Sequence, residues 1–172
     1  AIQAIKDNYN SYSPVDGYAD LKDAICTKFK RDNNLNYVSS QIVVSTGAKQ
    51  SIANLCMVLL DPGDEVLLPA PYWVSYSAIA TLAEAKSIII PSSIETDFKI
   101  TPEQLEDAIT PKTKMVMFNS PNNPSGTIYS ETEYRALGKV LEKSDIQVPK
   151  SGVLENLGAG ARQGFEETTI AY

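Results

Sequence analysis

The sequence predicts an α/β fold with a mostly parallel sheet flanked by helices. Short runs of β-branched and other apolar residues alternate along the chain with segments in which apolar residues recur at helical spacing. Two capping boxes, each a Ser or Thr followed three positions later by Glu or Gln, begin helices in the later part of this alternation. Strands that alternate with helices are typical of βαβ units, in which helices cover both faces of the sheet.

The part of the chain before residue 65 predicts a helix, a strand and a second helix. Apolar residues at every fourth position predict an amphipathic helix over about residues 18–31. The β-branched run at residues 41–45 predicts a strand, which a Thr-Gly pair ends. Helical spacing returns from Ala48 and ends at the Asp-Pro-Gly-Asp turn of residues 61–64.

Strands and helices continue to alternate beyond this turn. Thr101 with Gln104 and Ser130 with Glu133 form the two capping boxes, and Pro102 takes the first helical position after Thr101. The predicted elements are, in order, strand 65–69, helix 76–84, strand 87–90, helix 102–109, strand 114–118 and a helix that follows residue 130.

Length and charge exclude several classes of protein. A chain of 172 residues suits one domain with one sizeable core. Its 15 basic and 21 acidic residues give a net charge of −6, which repels phosphate backbones and excludes nucleic acid as the main partner. The sequence has neither an apolar run of about 18 residues nor the pattern of a secretion signal, so we expect a soluble, cytoplasmic protein.

Residue types narrow the possible chemistry. The sequence has no His, which excludes a Ser-His-Asp or Cys-His nucleophile and removes the commonest zinc ligand. Cys26 and Cys56 are spaced unlike a metal or redox motif, and we expect buried thiols and no metal site. Chemistry in this chain must therefore use Lys, Tyr, carboxylates or a cofactor.

The chain changes character after about residue 147. Residues 148–172 are rich in Gly and predict a loop. Gly158 and Gly160 resemble a dinucleotide-binding turn, but the strand before them is weak and the spacing to Gly164 is one residue too long. The chain begins at Ala1 within a helical pattern, which we interpret as a sign of a fragment of a longer protein.

Three polar loops follow predicted strands and form the candidate site. Ser-Thr-Gly-Ala-Lys-Gln at 45–50 opens a helix with small residues, which suits an anion such as phosphate; a plain tight turn is the alternative. Trp73, in the loop 69–73, either stacks on a planar ring or belongs to the core. The loop 119–126, rich in Pro and Asn, either positions a ligand with its amides or is an ordinary crossover turn.

Five motifs together resemble the aspartate aminotransferase family of pyridoxal-phosphate enzymes, in the family's order and spacing. They are Tyr-Ser-Pro at 12–14 with Gly17, the 45–50 loop, Asp-Pro-Gly-Asp at 61–64, Pro-Tyr-Trp at 71–73 and Asn-Ser-Pro-Asn-Asn-Pro-Ser-Gly at 119–126. The resemblance covers about residues 1–146 and implies part of the large α/β domain of fold type I. We therefore expect a partial cofactor-binding domain at 1–147, followed by a tail at 148–172 that does not match the family.

The resemblance implies roles for residues in all three loops. Gly47, Ala48 and Lys49 match the family's phosphate-binding turn, in which backbone groups at a helix N-terminus hold the phosphate of pyridoxal 5′-phosphate. Trp73 matches the aromatic residue that stacks on the pyridine ring beside the substrate. Asn123 matches the residue that hydrogen-bonds the cofactor's 3′-oxygen and helps to receive the substrate carboxylate.

The resemblance also implies a homodimer and a reaction. Tyr12 matches a tyrosine that reaches across the dimer interface to the partner's cofactor phosphate. The implied reaction transfers an amino group from an amino acid, aspartate in the subgroup with the most similar loops, to a 2-oxo acid such as 2-oxoglutarate.

The family's catalytic residues have no match in this sequence. Gln-Val-Pro-Lys at 147–150 stands where the family has the Asp that pairs with the pyridinium nitrogen, and no Lys stands at the position of the Schiff-base lysine. We therefore expect little turnover from these residues alone. Two alternatives stay open: a non-catalytic cofactor-binding fragment or scaffold, and another type I enzyme such as an aromatic or prephenate aminotransferase or a lyase.

Overall fold

The computed structural model describes residues 1–144, 146 and 170–171. It confirms the predicted α/β class, because three parallel strands flanked by helices form the sheet, with a short antiparallel strand at one edge. The chain divides into two compact units, residues 1–51 and residues 52–172.

The first unit contains helix α1 (Ile2–Lys6), helix α2 (Ala19–Asn33) and a 3₁₀ turn at Ser39–Gln41. Helix α2 confirms the helix predicted at 18–31, but none of its residues is buried in the part of the chain that the structure describes. The ring of Phe29 meets the ring of Tyr37 edge-on, with the ring centres 5.8 Å apart. The amphipathic pattern therefore identified the helix correctly, although its apolar face is only partly covered.

The strand predicted at 41–45 is wrong. Residue 41 ends the 3₁₀ turn, and residues 42–45 pair with no strand among the described residues. The amide of Val44 instead donates to the carbonyl of Asp16 (3.1 Å). β-branched residues favour an extended backbone, but a strand also needs a neighbouring strand, and here a loop takes its place. Gly17 permits this approach, since a Cβ there would lie 2.6 Å from Cγ2 of Val44.

The second unit is built on a sheet with the strand order β2-β1-β3-β4. Strand β1 pairs in parallel with β2 and β3, and β4 pairs antiparallel with β3. These strands are β1 (Glu65–Pro69), β2 (Lys86–Ile90), β3 (Thr113–Met117) and β4 (Ile170–Ala171). The three parallel strands lie within one residue of their predicted bounds.

Four helices accompany the sheet among the described residues. They are α3 (Ala48–Leu59), whose first turn lies in the first unit, α4 (Ser75–Leu82), α5 (Pro102–Ala108) and α6 (Glu131–Lys143). Both predicted capping boxes are confirmed at the starts of α5 and α6. In the second of them, the Ser130 amide donates to the Glu133 carboxylate (2.6 Å) and the Glu133 amide donates to Oγ of Ser130 (3.3 Å).

Two apolar clusters cover the two faces of the sheet. All five residues of β1 are buried, as expected for a central parallel strand. Val66 and Leu68 belong to a cluster with residues of α3 and α4, while Leu67 belongs to a cluster with residues of α5 and α6. Because side chains alternate along a strand, this division confirms that helices cover both faces of the sheet.

The strand order reverses at the carboxyl ends of β1 and β3. The chain leaves β1 for α4 on one face of the sheet, and it leaves β3 for α6 on the other face. Ligands of open α/β sheets bind at such a reversal of strand order. The loops that follow β1 and β3 are therefore the natural place for a site.

Two sequence expectations involve residues that the structure does not describe. The predicted loop at 148–172 lies outside the described residues, except that 170–171 form β4. The division of the chain at residue 147 thus stays a prediction. Within the described residues, no helix is both long and apolar enough to span a membrane.

Candidate functional site

The structure brings two of the three predicted loops together at this reversal of strand order. Residues 70–74 follow β1, and residues 119–126 begin just after β3. The side-chain amide Nδ2 of Asn122 donates to the backbone carbonyl of Pro71 (3.1 Å) and joins the two loops. Trp73, two residues after Pro71, and Asn123, next to Asn122, therefore lie in loops that are tied to each other.

Hydrogen bonds within the loop 119–126 distinguish its two adjacent asparagines. Oδ1 of Asn122 accepts from the amide (3.1 Å) and the hydroxyl (2.8 Å) of Ser125, so both ends of the Asn122 carboxamide are engaged. Asn123 is exposed, and its backbone amide donates to Oδ1 of Asn119 (3.5 Å). Among the described residues its own carboxamide makes no hydrogen bond, which leaves this side chain able to bind a ligand.

Trp73 is half-buried at the carboxyl end of β1. Its ring meets the ring of Tyr76 at 82°, with the centres 5.6 Å apart, and its carbonyl accepts from the Tyr76 amide (2.9 Å). Trp73 also packs against the apolar cluster on the α3 and α4 face of the sheet. One part of this side chain therefore belongs to the core, and the other part is exposed at the candidate site. Burial raises the pKa of Tyr76 above its ordinary value, which keeps this supporting hydroxyl neutral.

A cluster of three aromatic residues is hydrogen-bonded to the loop 119–126. The rings of Phe118, Tyr129 and Tyr134 lie with their centres 5.6–5.9 Å apart, and all three residues are buried. Oγ of Ser120 accepts from the Tyr129 amide (3.0 Å), which fixes the loop to this cluster. Burial raises the pKa of Tyr129 and of Tyr134, so neither ring carries a charge at neutral pH.

The third predicted loop belongs to the first unit. Gly47 has φ of +86°, a conformation that favours glycine, and a Cβ at this position would meet no atom within 4 Å. Helix α3 begins directly after it at Ala48. The amides of Gln50 (3.1 Å) and Ser51 (3.3 Å) donate to the Gly47 carbonyl. Of the first amides, only those of Ala48 and Lys49 therefore precede the helix's own hydrogen bonds. Residues 46–50 are exposed. An open helix N-terminus next to Lys49 fits an anion such as phosphate. Tyr12, in the same unit, is also fully exposed.

Comparison with known proteins decides the family. The family described as aminotransferase class I and II matches residues 1–148 of this chain. The chain belongs to this family. Its members are pyridoxal-phosphate enzymes, so the match confirms the resemblance that the loop motifs indicated.

Individual aminotransferases are similar over most of this chain. The aspartate/prephenate aminotransferase of Nitrosomonas europaea is 51% identical over 158 residues, which cover 91% of this chain and 40% of that protein. The aspartate aminotransferase of Bacillus subtilis is 44% identical over 163 residues, which cover 95% of this chain and 42% of that protein. The chain thus spans well under half the length of these curated relatives.

Solved aminotransferase structures share the fold. The aspartate aminotransferase of Rhizobium meliloti superposes with a TM-score of 0.77 at 47% identity, over 83% of this chain and 36% of that one. An aromatic aminotransferase of Pyrococcus horikoshii OT3 superposes with a TM-score of 0.78 at 29% identity, over 84% of this chain and 39% of that one. The confirmed fold is therefore that of type I pyridoxal-phosphate enzymes.

Proposed function

We propose that this chain is part of a pyridoxal-phosphate-dependent aminotransferase that transfers an amino group from aspartate to a 2-oxo acid such as 2-oxoglutarate. The observation that carries the proposal is the meeting of the Trp73 and Asn123 loops at the reversal of strand order. The names of the Nitrosomonas europaea and Bacillus subtilis relatives support aspartate as the amino donor.

Each unit, taken by itself, carries residues that suit one chemical group of this cofactor. In the second unit, the Trp73 ring offers a flat surface to a pyridine ring, and the exposed Asn123 carboxamide can donate to the 3′-oxygen and to a substrate carboxylate. In the first unit, the open turn at Gly47 and the first amides of α3 suit a phosphate. When bound, pyridoxal phosphate supplies an electron sink for chemistry at the substrate α-carbon.

The assignment of residues 47–49 to the phosphate rests on charge and backbone. Amides at a helix N-terminus carry partial positive charge, and the Lys49 side chain adds a full positive charge next to them. This charge matters in a chain with a net charge of −6, which otherwise repels a phosphate. Lys49 acts here as a local counter-charge to the phosphate.

The assembly and the location of the protein are also proposals. The exposed ring of Tyr12 is available to a second copy of the chain, which supports a homodimer in which this tyrosine reaches the partner's cofactor phosphate. We also propose a cytoplasmic location for this enzyme.

Replacement of Asn123 tests the cofactor site. The substitution Asn123→Ala is expected to weaken binding of pyridoxal phosphate about fivefold or more, because it removes one hydrogen bond to the ligand. The matched control is Asn54→Ala, which changes another exposed asparagine, on α3. Equilibrium dialysis measures both affinities. Equal affinities of the two variants would show that Asn123 does not contact the cofactor.

A further inference from the structure

Both the backbone and the side chain of Asn122 are hydrogen-bonded, whereas the side chain of its neighbour Asn123 makes no hydrogen bond among the described residues. Its amide donates to the carbonyl of Thr127 (2.8 Å), and its carbonyl accepts from the amide of Gly126 (2.8 Å). Its side-chain oxygen takes two hydrogen bonds from Ser125, and its side-chain nitrogen donates to Pro71. This residue is therefore held in one orientation by its own loop, with its donor directed at the other loop.

Two hydrogen bonds fix the start of the loop that receives the Asn122 bond. The amide of Ala70 donates to the carbonyl of Ile90 (2.9 Å), and the carbonyl of Ala70 accepts from the hydroxyl of Ser92. Both partners hold the loop to the β2 side of the sheet. The hydrogen bond from Asn122 to Pro71 ties the same loop to the β3 side.

We propose that Asn122 is a positioning residue that fixes the Trp73 loop relative to Asn123. The Asn122 carboxamide donates to the carbonyl of Pro71, which lies two residues before Trp73. Asn122 itself is the neighbour of Asn123, whose side chain is proposed to bind the ligand. A site needs such support, since small displacements of contact groups weaken binding. The consequence for the cofactor rests on the proposed function, whereas the link between the loops does not.

The substitution Asn122→Asp isolates this link. A carboxylate keeps both acceptor bonds to Ser125, but it loses the donor and places a charged oxygen against the Pro71 carbonyl. Trp73 is the only tryptophan of the chain, so its fluorescence reports on this loop without any cofactor. In cofactor-free protein, Asn122→Asp is expected to shift the emission to longer wavelength and to make it more sensitive to acrylamide quenching.

The matched control is Asn123→Asp, which makes the same chemical change one residue away. The Asn123 side chain has no hydrogen bond among the described residues, so this variant is expected to leave the emission of Trp73 unchanged. Asn122→Asp is also expected to weaken binding of pyridoxal phosphate about fivefold, the effect of one hydrogen bond.

The emission data decide the proposal. Unchanged emission and quenching in Asn122→Asp, or an equal shift in both variants, would overturn it. If far-UV circular dichroism shows that Asn122→Asp does not fold, Asn122→Ser replaces it, because a short hydroxyl side chain removes the link without adding charge. Failure of the parent chain to bind pyridoxal phosphate would refute the proposed function, while the emission of the variants would still decide whether Asn122 links the loops.

Discussion

A polypeptide of these 172 residues is expected to turn over aspartate and 2-oxoglutarate about 10²- to 10⁴-fold more slowly than the Bacillus subtilis relative. This factor is the range that a positioned acid–base group contributes to a reaction rate. This expectation rests on the prediction that these 172 residues lack the family's proton-transferring lysine and pyridinium-binding Asp, since residues 147–150 read Gln-Val-Pro-Lys where the resemblance places that Asp. Interactions made only in the transition state would be lost, which lowers kcat.

A coupled assay of oxaloacetate formation measures this rate, with the Bacillus subtilis enzyme as the positive control. Binding of pyridoxal phosphate with little turnover is the expected combination, and it would describe a chain that keeps part of a cofactor site without the proton transfer. A rate comparable to that of the relative would contradict the expectation and would require an acid–base residue within these 172 residues.

Removal of the Leu67 side chain is expected to lower the free energy of unfolding by about 2–5 kcal/mol. Leu67 is completely buried in the central strand β1 and packs in the cluster formed with α5 and α6. Leu67→Ala leaves a cavity that the surrounding parallel strands cannot close, because β1 is fixed on both sides by pairing with β2 and β3.

Leu82→Ala is the matched control, since this leucine of α4 is 72% exposed. Its replacement is expected to change the free energy of unfolding by less than about 0.5 kcal/mol. Urea denaturation followed by circular dichroism measures both variants. Similar effects of the two substitutions would contradict the burial of Leu67 between β1 and the helices α5 and α6.

Most of the sheet unit could be predicted from sequence because its signals are local. The capping boxes at Thr101 and Ser130 mark the starts of α5 and α6, and short apolar runs mark β1, β2 and β3. The strand predicted at 41–45 failed for a different reason. Pairing with another strand is not a local property, and the Val44 amide bonds to a loop instead.

The candidate site also has features that could be predicted from the sequence and one that could not. Trp73 and Asn123 stand out in the sequence because they follow strands, and the Gly47 turn stands out because small residues open a helix there. All three lie in motifs of one family. The role of Asn122 as a link between loops could not be predicted, since its partner Pro71 lies 51 residues away in the chain. Adjacent asparagines look alike in a sequence, and their hydrogen bonds in the structure distinguish them.

Titration of the chain with pyridoxal phosphate, followed by the fluorescence of Trp73, tests the central claim most directly. The proposed site predicts saturable quenching of this single tryptophan, and weaker quenching by pyridoxal, which lacks the phosphate. Quenching that rises linearly without saturation, and equally for both compounds, would contradict the claim that these loops hold the cofactor.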